Sequence, residues 1–338
     1  MFRLLLALAL PGAAGHGAMN TPPSRNAGNG WAPGENVHGC NDGACMWFSQ
    51  GCSIGCRCNE DNSDLHFFES LCHSKTAPTI NELSEMTYGN PIPLFGGNWT
   101  KFHPWRAPGT AVTFDACGIS GGSTHDNAPA AGFGNDTIVH RQGYPGSRLP
   151  PVSYKTVWKL NSTVEVAWGI TANHGGGYQY RLCPLGENLT EACFQRHVLP
   201  FVGGTQTLRW ADGAEVTINA TRVSAGTTPA GSVWTKNPIP ACTDLQGGDF
   251  GRGCDKPQFA PPPGCNETCW GFKRCEDQLP HVDCSEYPHW NTREIPNIVD
   301  RVRVPPVLAL GAWVVQWRWD CEQTPQVWNS CGDVTVVA

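Results

Sequence analysis

Long helical periodicity is almost absent from the 338 residues, and so is any basic run. The first absence argues against a helical bundle. The second leaves no electrostatic footprint for nucleic acid, and the formal net charge of −6 agrees. Charged residues make up only 15% of the chain. Beyond the first ten residues no apolar run approaches the roughly 20 residues of a membrane-crossing helix, and no anchor tail closes the chain. Tandem repeats and a separate C-terminal module are missing as well.

What is present is glycine (39), proline (28), tryptophan (14) and cysteine (17), a loop-rich and strand-rich extracellular composition. So many cysteines would be a liability in a reducing cytosol and are ordinary in a secreted chain. Their odd number leaves at least one unpaired or paired with another chain. Six N-glycosylation acceptors agree with secretion: Asn98, Asn135, Asn161, Asn188, Asn219 and Asn266.

The N-terminus reads as a signal peptide over residues 1–15. Arg3 precedes the apolar run 4–10, Pro11 breaks it, and Ala13 and Gly15 stand three and one before His16. Cleavage after Gly15 leaves a secreted, extracellular domain, 16–338, beginning with His16, whereas a cut a residue or two away would make the histidine incidental.

Short strand-like runs follow at 111–118, 153–160, 162–171, 177–183, 214–223, 311–321 and 333–338. Period-two alternation puts Trp313, Val315, Trp317 and Trp319 on one face, with Val314, Gln316 and Arg318 on the other. Tyr178, Tyr180 and Leu182 share a face in the same manner. The expected fold is all-β: an antiparallel, immunoglobulin-like or fibronectin-like β-sandwich with long disulfide-stapled loops. Those loops are the cysteine-dense stretches 40–72 and 242–284. A zinc site at Cys52, Cys56 and Cys58 fits an oxidised, secreted chain less well than disulfides do.

A free N-terminal histidine is a bidentate ligand, because its α-amine and ring nitrogen close a chelate on one metal. A second imidazole completes a T-shaped set of three nitrogens, which suits Cu(II). The distinctive partner is His174 in the stretch TANHGGGYQYRLCP, at a strand end before three glycines. His38, His66, His73, His103, His125 and His140 carry no spacing that demands a metal, and residues 124–127 (THDN) add at most a nearby polar group.

The histidine-glycine pair after the signal, ANHGGGYQYRLCP and the terminal WRWDCEQTPQVWNSCGDVTV together resemble the lytic polysaccharide monooxygenases. The resemblance is to the animal, algal and oomycete branch related to chitin-binding type-4 domains, and it covers 16–338. It implies one copper ion held by His16 and His174, with catalysis resting on these two, Gln326 and Trp328. Gln326 matches the Gln/Glu that neighbours the copper. Trp328 falls where the family has a tyrosine or phenylalanine on the axial side. A tryptophan cannot ligate as a phenolate would, which leaves open an empty axial position, a hole-hopping role or plain packing. Ala172 resembles the small residue some branches keep near the metal.

The implied partners are an insoluble β-linked polysaccharide of the chitin or cellulose type, an external electron donor, and O2 or H2O2. The chain is expected to act as a monomer. Of the tryptophans, Trp31, Trp47, Trp99 and Trp105 lie in loop-like segments where a ring can stack on a sugar. Cys183 and Cys193 suggest a local bridge, while Cys321 and Cys331 leave their pairing open, with each other or upstream. Two further functions use the same residues: a non-catalytic polysaccharide-binding module, and a copper-handling protein. The scarcity of methionine (4) weighs against the last.

Overall fold

The structure is a computed structural model, described for residues 16–27, 47–48, 104–111, 113, 115–120, 145–153, 155–172, 175–209, 213, 215–238, 296–322 and 327–338. For His16, Ala27, Phe48, Ser120, Thr171 and Ala172 the backbone alone is described. The signal segment 1–15, the stretch 242–284 and all of 40–72 except residues 47–48 lie outside the described residues.

Two sheets face each other. The smaller orders β1 (His16–Thr21), β5 (Thr163–Ala172), β11 (Asn297–Arg303), β7 (Thr205–Arg209) and β8 (Glu215–Asn219). The larger orders β3 (Ile119–Ser120), β2 (Trp47–Phe48), β13 (Val327–Val337), β12 (Gly311–Asp320), β6 (Gly177–Pro184), β10 (Trp234–Lys236) and β9 (Arg222–Val223). Pairing is antiparallel except for β4 (Thr156–Lys159), which runs parallel to β13. The expected all-β sandwich is what forms.

Alternation explains the core. Trp313, Val315, Trp317 and Trp319 of β12 and Tyr178, Tyr180 and Leu182 of β6 all enter one apolar cluster, as the sequence predicts. Met19, Val166, Trp168, Ile170, Ile298 and Val302 of the smaller sheet meet them. Each fully buried ring contributes about 4–6 kcal/mol of gross transfer free energy.

The other face of β12 is not solvent. Val314 packs with Phe194 and two disulfides, Cys117–Cys331 and Cys183–Cys193. The local bridge is thus the expected one, and Cys331 pairs upstream. A short helix, α1 (Glu191–Gln195), caps this face, with the Thr190 hydroxyl accepting from the Cys193 N–H at 3.2 Å.

Two strand expectations are corrected. Among the described residues of 111–118 there is no strand, because the Asp115 carboxylate accepts from the Cys117 and Ser147 N–H groups at 2.8 and 3.0 Å and turns the chain. Among the described residues of 153–160 the paired strand is Thr156–Lys159.

One polar cluster lies inside the core. The Tyr178 hydroxyl donates to Asp300 Oδ2 and accepts from Gln206 Nε2 at 2.6 Å. Arg222 reaches Asp300 Oδ1 at 3.2 Å through Nη2. Burial pushes the Asp300 carboxyl up to about 6 from 3.8, against the opposing pull of Arg222 and the Tyr178 hydrogen bond. A carboxyl raised on folding stabilises the fold fully below its unfolded value, and that contribution is lost as pH rises through the folded one. Asp300→Asn abolishes this dependence. The stability difference, variant minus native, is expected to shift in the variant's favour by up to about 3 kcal/mol between about pH 4 and pH 7, measured by urea unfolding. A difference that stays constant across that range would show that Asp300 titrates normally.

Candidate functional site

Register places the first candidate ligand. His16 lies opposite Ala172 and Gly17 opposite Ile170, with a bulge between the two pairs. The start of β1 therefore comes alongside the end of β5, two residues before His174 in the sequence. His174 and Gln326 lie outside the described residues.

Gly175 and Gly176 are held under tight constraint. Gly175 and Gly176 have φ of 63° and 73°, the left-handed region that favours glycine. The Gly175 carbonyl accepts from Trp319 Nε1 at 2.7 Å. The Gly176 N–H donates to Glu322 Oε2 at 3.3 Å, and its carbonyl accepts from the Asn237 N–H at 2.8 Å. A Cβ on Gly176 would fall 2.0 Å from the Asp320 carbonyl oxygen.

Trp319 joins the two flanks. Its indole N–H holds Gly175, the residue after His174, and its six-membered ring lies 3.1 Å from where a Cβ on Gly17 would stand. Sequence reasoning placed Trp319 on a core face and gave it no part in the site. The available signal was its place at the β12 end of the aromatic alternation, together with glycines following both histidines.

Trp328 is fully buried in the same core, its Cα opposite Trp319 on one side and Phe48 on the other. Trp105 is half-buried and covers Gly177, where a Cβ would meet its ring at 2.4 Å; its backbone N–H donates to the Cys321 carbonyl at 3.1 Å. Trp47 is wholly buried, which removes it from the surface aromatics, because β2 tucks it against Gly118. Trp31 and Trp99 lie outside the described residues. Asn161, Asn188 and Asn219 are exposed, while Asn98, Asn135 and Asn266 are also outside.

Beneath the glycine turn, on the outer face of the larger sheet, lies a buried ionic network. Arg318 grips Asp320 through Nε and Nη2 at 2.7 and 3.2 Å, and Glu191 Oε2 through Nη1 at 3.0 Å. Arg181 reaches the same Glu191 oxygen at 2.7 Å, and Gln316 Nε2 donates to Glu191 Oε1 at 2.5 Å. Burial alone would raise the Glu191 carboxyl, but the guanidiniums of Arg318 and Arg181 outweigh it and hold the group below its usual value. Asp320 Oδ2 also accepts from the Gly109 N–H at 2.7 Å, which straps residues 104–111 over the sheet. Through Asp320, paired with Gly177, the network fixes the strand end against which Gly176 rests.

Among the described residues no three His, Cys, Asp or Glu side chains are grouped to hold a metal. Both candidate ligands are outside that count, His174 wholly and His16 in its side chain. His197 packs edge-on against Trp313 at 5.1 Å, and burial holds its imidazole below the usual value.

No protein-family model matches the chain, and no curated protein does. Among solved structures, a chitin-binding domain from Burkholderia pseudomallei aligns at 10% identity and a TM-score of 0.24, over 54% of this chain and 57% of that one. A lytic polysaccharide monooxygenase from Streptomyces lividans aligns at 11% and 0.23, over 56% and 64%. A cellulose-active lytic polysaccharide monooxygenase in complex with copper aligns at 11% and 0.22, over 57% and 59%. The matched part is less than two thirds of each of those chains, and at such values the likeness transfers no function to this one.

Proposed function

We propose that this protein is a secreted, copper-dependent monooxygenase acting on a β-linked polysaccharide of the chitin or cellulose type. The observation that carries the reading is the pairing of His16 with Ala172, which brings the expected mature N-terminus to the strand end leading to His174. The donor set fits copper: one α-amine and two imidazoles suit Cu(II), and the three glycines after His174 let the backbone pack closely behind that residue. The α-amine has a free pKa of about 7.7–8.0, so it must lose its proton to ligate.

Copper, when bound, supplies one-electron redox chemistry with O2 or H2O2, fed by an external reductant. The chain does the rest. His16 and His174 hold the ion, Gln326 donates a hydrogen bond that orients the co-substrate, and Trp328 packs below in the core. Trp319 holds the Gly175 carbonyl and packs beside Gly17, which supports a brace whose flanks are positioned by the fold.

The test is a copper titration followed by electron paramagnetic resonance. The chain beginning at His16 is compared with one bearing a single extra residue before it, and with His174→Ala. The first binds tightly with a nitrogen-rich type-2 signal, and each of the others loses at least about 100-fold in affinity. Equal binding by all three would overturn the brace. The fully buried Trp328, standing where the resemblance implies a tyrosine or phenylalanine, favours one rival, a non-catalytic polysaccharide-binding module. Such a module depletes from solution on chitin or cellulose, yet releases no oxidised oligosaccharide when reductant is added.

A further inference from the structure

A cavity of about 560 Å3 opens on the outer face of the larger sheet, beside the ionic network. Thr113 and Asp115 stand on one wall, and Leu185, Glu187 and Asn188, in the turn between β6 and α1, stand on the other. The volume is within the roughly 300–1,000 Å3 of a small-molecule site. One of the wall residues is a glycosylation acceptor. Asn188 begins the triplet Asn188-Leu189-Thr190 and is exposed. Its carbonyl accepts from the Thr190 N–H at 2.8 Å, while its side-chain amide has no hydrogen-bond partner among the described residues. The other two described acceptors line no part of this cavity: Asn161 sits in the turn between β4 and β5, and Asn219 ends β8.

The chemistry of the walls suits a sugar. The Thr113 hydroxyl is shut off from solvent and has no hydrogen-bond partner among the described residues, a costly state that a ligand hydroxyl relieves. Glu187 gives Oε2 to Arg196, and its Oε1 has no partner among the described residues. Leu185 is 39% exposed on the same wall. A sugar offers hydroxyls to the first two and a C–H face to the third. A free monosaccharide would need affinity to stay in an open cavity. One tethered to the wall docks intramolecularly, so a few weak contacts suffice.

We propose that this cavity seats the first N-acetylglucosamine of a glycan carried by Asn188, making that sugar a packed part of the fold. On attachment the Asn188 amide nitrogen bonds to the anomeric carbon of a glycosyl diphosphate donor, one N–H proton is lost, and the diphosphate leaves. The seated sugar ties the turn leading into Glu191 to the segment around Thr113, and so braces α1 over the ionic network. The inference rests on the secreted reading and is independent of copper.

The test reads glycan release site by site. The chain is secreted from yeast, and peptide-N-glycosidase F is applied to the native and to the denatured protein, with mass spectrometry of each acceptor peptide. Asn161 and Asn219 lose their glycans in the native protein. Release at Asn188 is expected to be at least about tenfold slower until the protein is denatured, because the enzyme must reach the sugar–asparagine bond. Endoglycosidase H then trims every glycan to one N-acetylglucosamine. In that form Asn188→Gln lowers Tm by about 2 °C or more, while Asn161→Gln and Asn219→Gln each change it by less than about 1 °C. In sugar-free protein from a bacterial periplasm, Asn188→Gln leaves Tm unchanged. Native release at Asn188 as fast as at the other acceptors would overturn the seat, as would an equal loss of Tm in the sugar-free protein. So would glycans at Asn161 or Asn219 with none at Asn188. Sugar at none of the three would overturn the secreted reading as well, which separates the two failures.

Discussion

Replacing Glu191 by alanine costs about 3–5 kcal/mol of folding stability, measured by denaturant unfolding, because it leaves buried charge without its partner. One carboxylate oxygen serves two guanidiniums: Arg181 at 2.7 Å and Arg318 at 3.0 Å, both essentially buried. Arg318 keeps Asp320 when Glu191 is removed. Among the described residues, the direct contacts Arg181 keeps are neutral: the Gln179 amide oxygen at 2.6 Å, the Thr228 carbonyl at 3.2 Å and the face of Trp234 at 5.1 Å. The Asp320 carboxylate acts on it only at longer range. The orphaned charge is therefore that of Arg181, and Glu191→Ala with Arg181→Met recovers much of the loss. An exposed pair is the control. Arg196 and Glu187 have side chains 51% and 47% exposed, so Arg196→Ala changes stability by less than about 1 kcal/mol. Equal effects at the buried and exposed sites would mean that the network is solvated in solution.

The same network marks where the sequence stops being readable. The alternation in 311–319 separates Trp313, Val315, Trp317 and Trp319 from Val314, Gln316 and Arg318, and both sets fall on the faces expected. Period two says which residues share a face and nothing of what covers it. Gln316 and Arg318 look like a solvent face, yet both are buried under Glu191, a residue more than a hundred positions away in sequence. The run 111–118 has strand composition, but the Asp115 side chain competes for the backbone N–H groups and turns it. Trp47 stands in a Gly- and Cys-rich stretch and is buried all the same, since composition carries no long-range pairing. At the site, His16 and the small residues after His174 are visible in the sequence as types. Their approach depends on the register of β1 on β5 and on Trp319 bridging Gly17 and Gly175, contacts that no local pattern encodes.

Gly176→Ala tests that last dependence directly. At φ 73° an L-residue is strained, and the new methyl would stand 2.0 Å from the Asp320 carbonyl oxygen. That atom is backbone in a paired strand whose side chain is gripped by Arg318, so it cannot step aside as a flexible side chain would. The turn has to move instead, breaking the Gly176 links to Glu322 and Asn237 and shifting Gly175 from Trp319. The expected cost is about 2–4 kcal/mol in stability. Copper affinity of the chain beginning at His16 falls at least about tenfold, since a brace set by its flanks loses its geometry when one flank moves. Gly203→Ala separates strain from contact: its φ is 81°, but nothing lies within 4 Å of the added methyl. It costs only about 1 kcal/mol and leaves copper binding unchanged. If Gly176→Ala behaved like Gly203→Ala in both measurements, the turn after His174 would not be held by Asp320. The proposed metal site would then owe its geometry to the ligands and not to the fold beneath them.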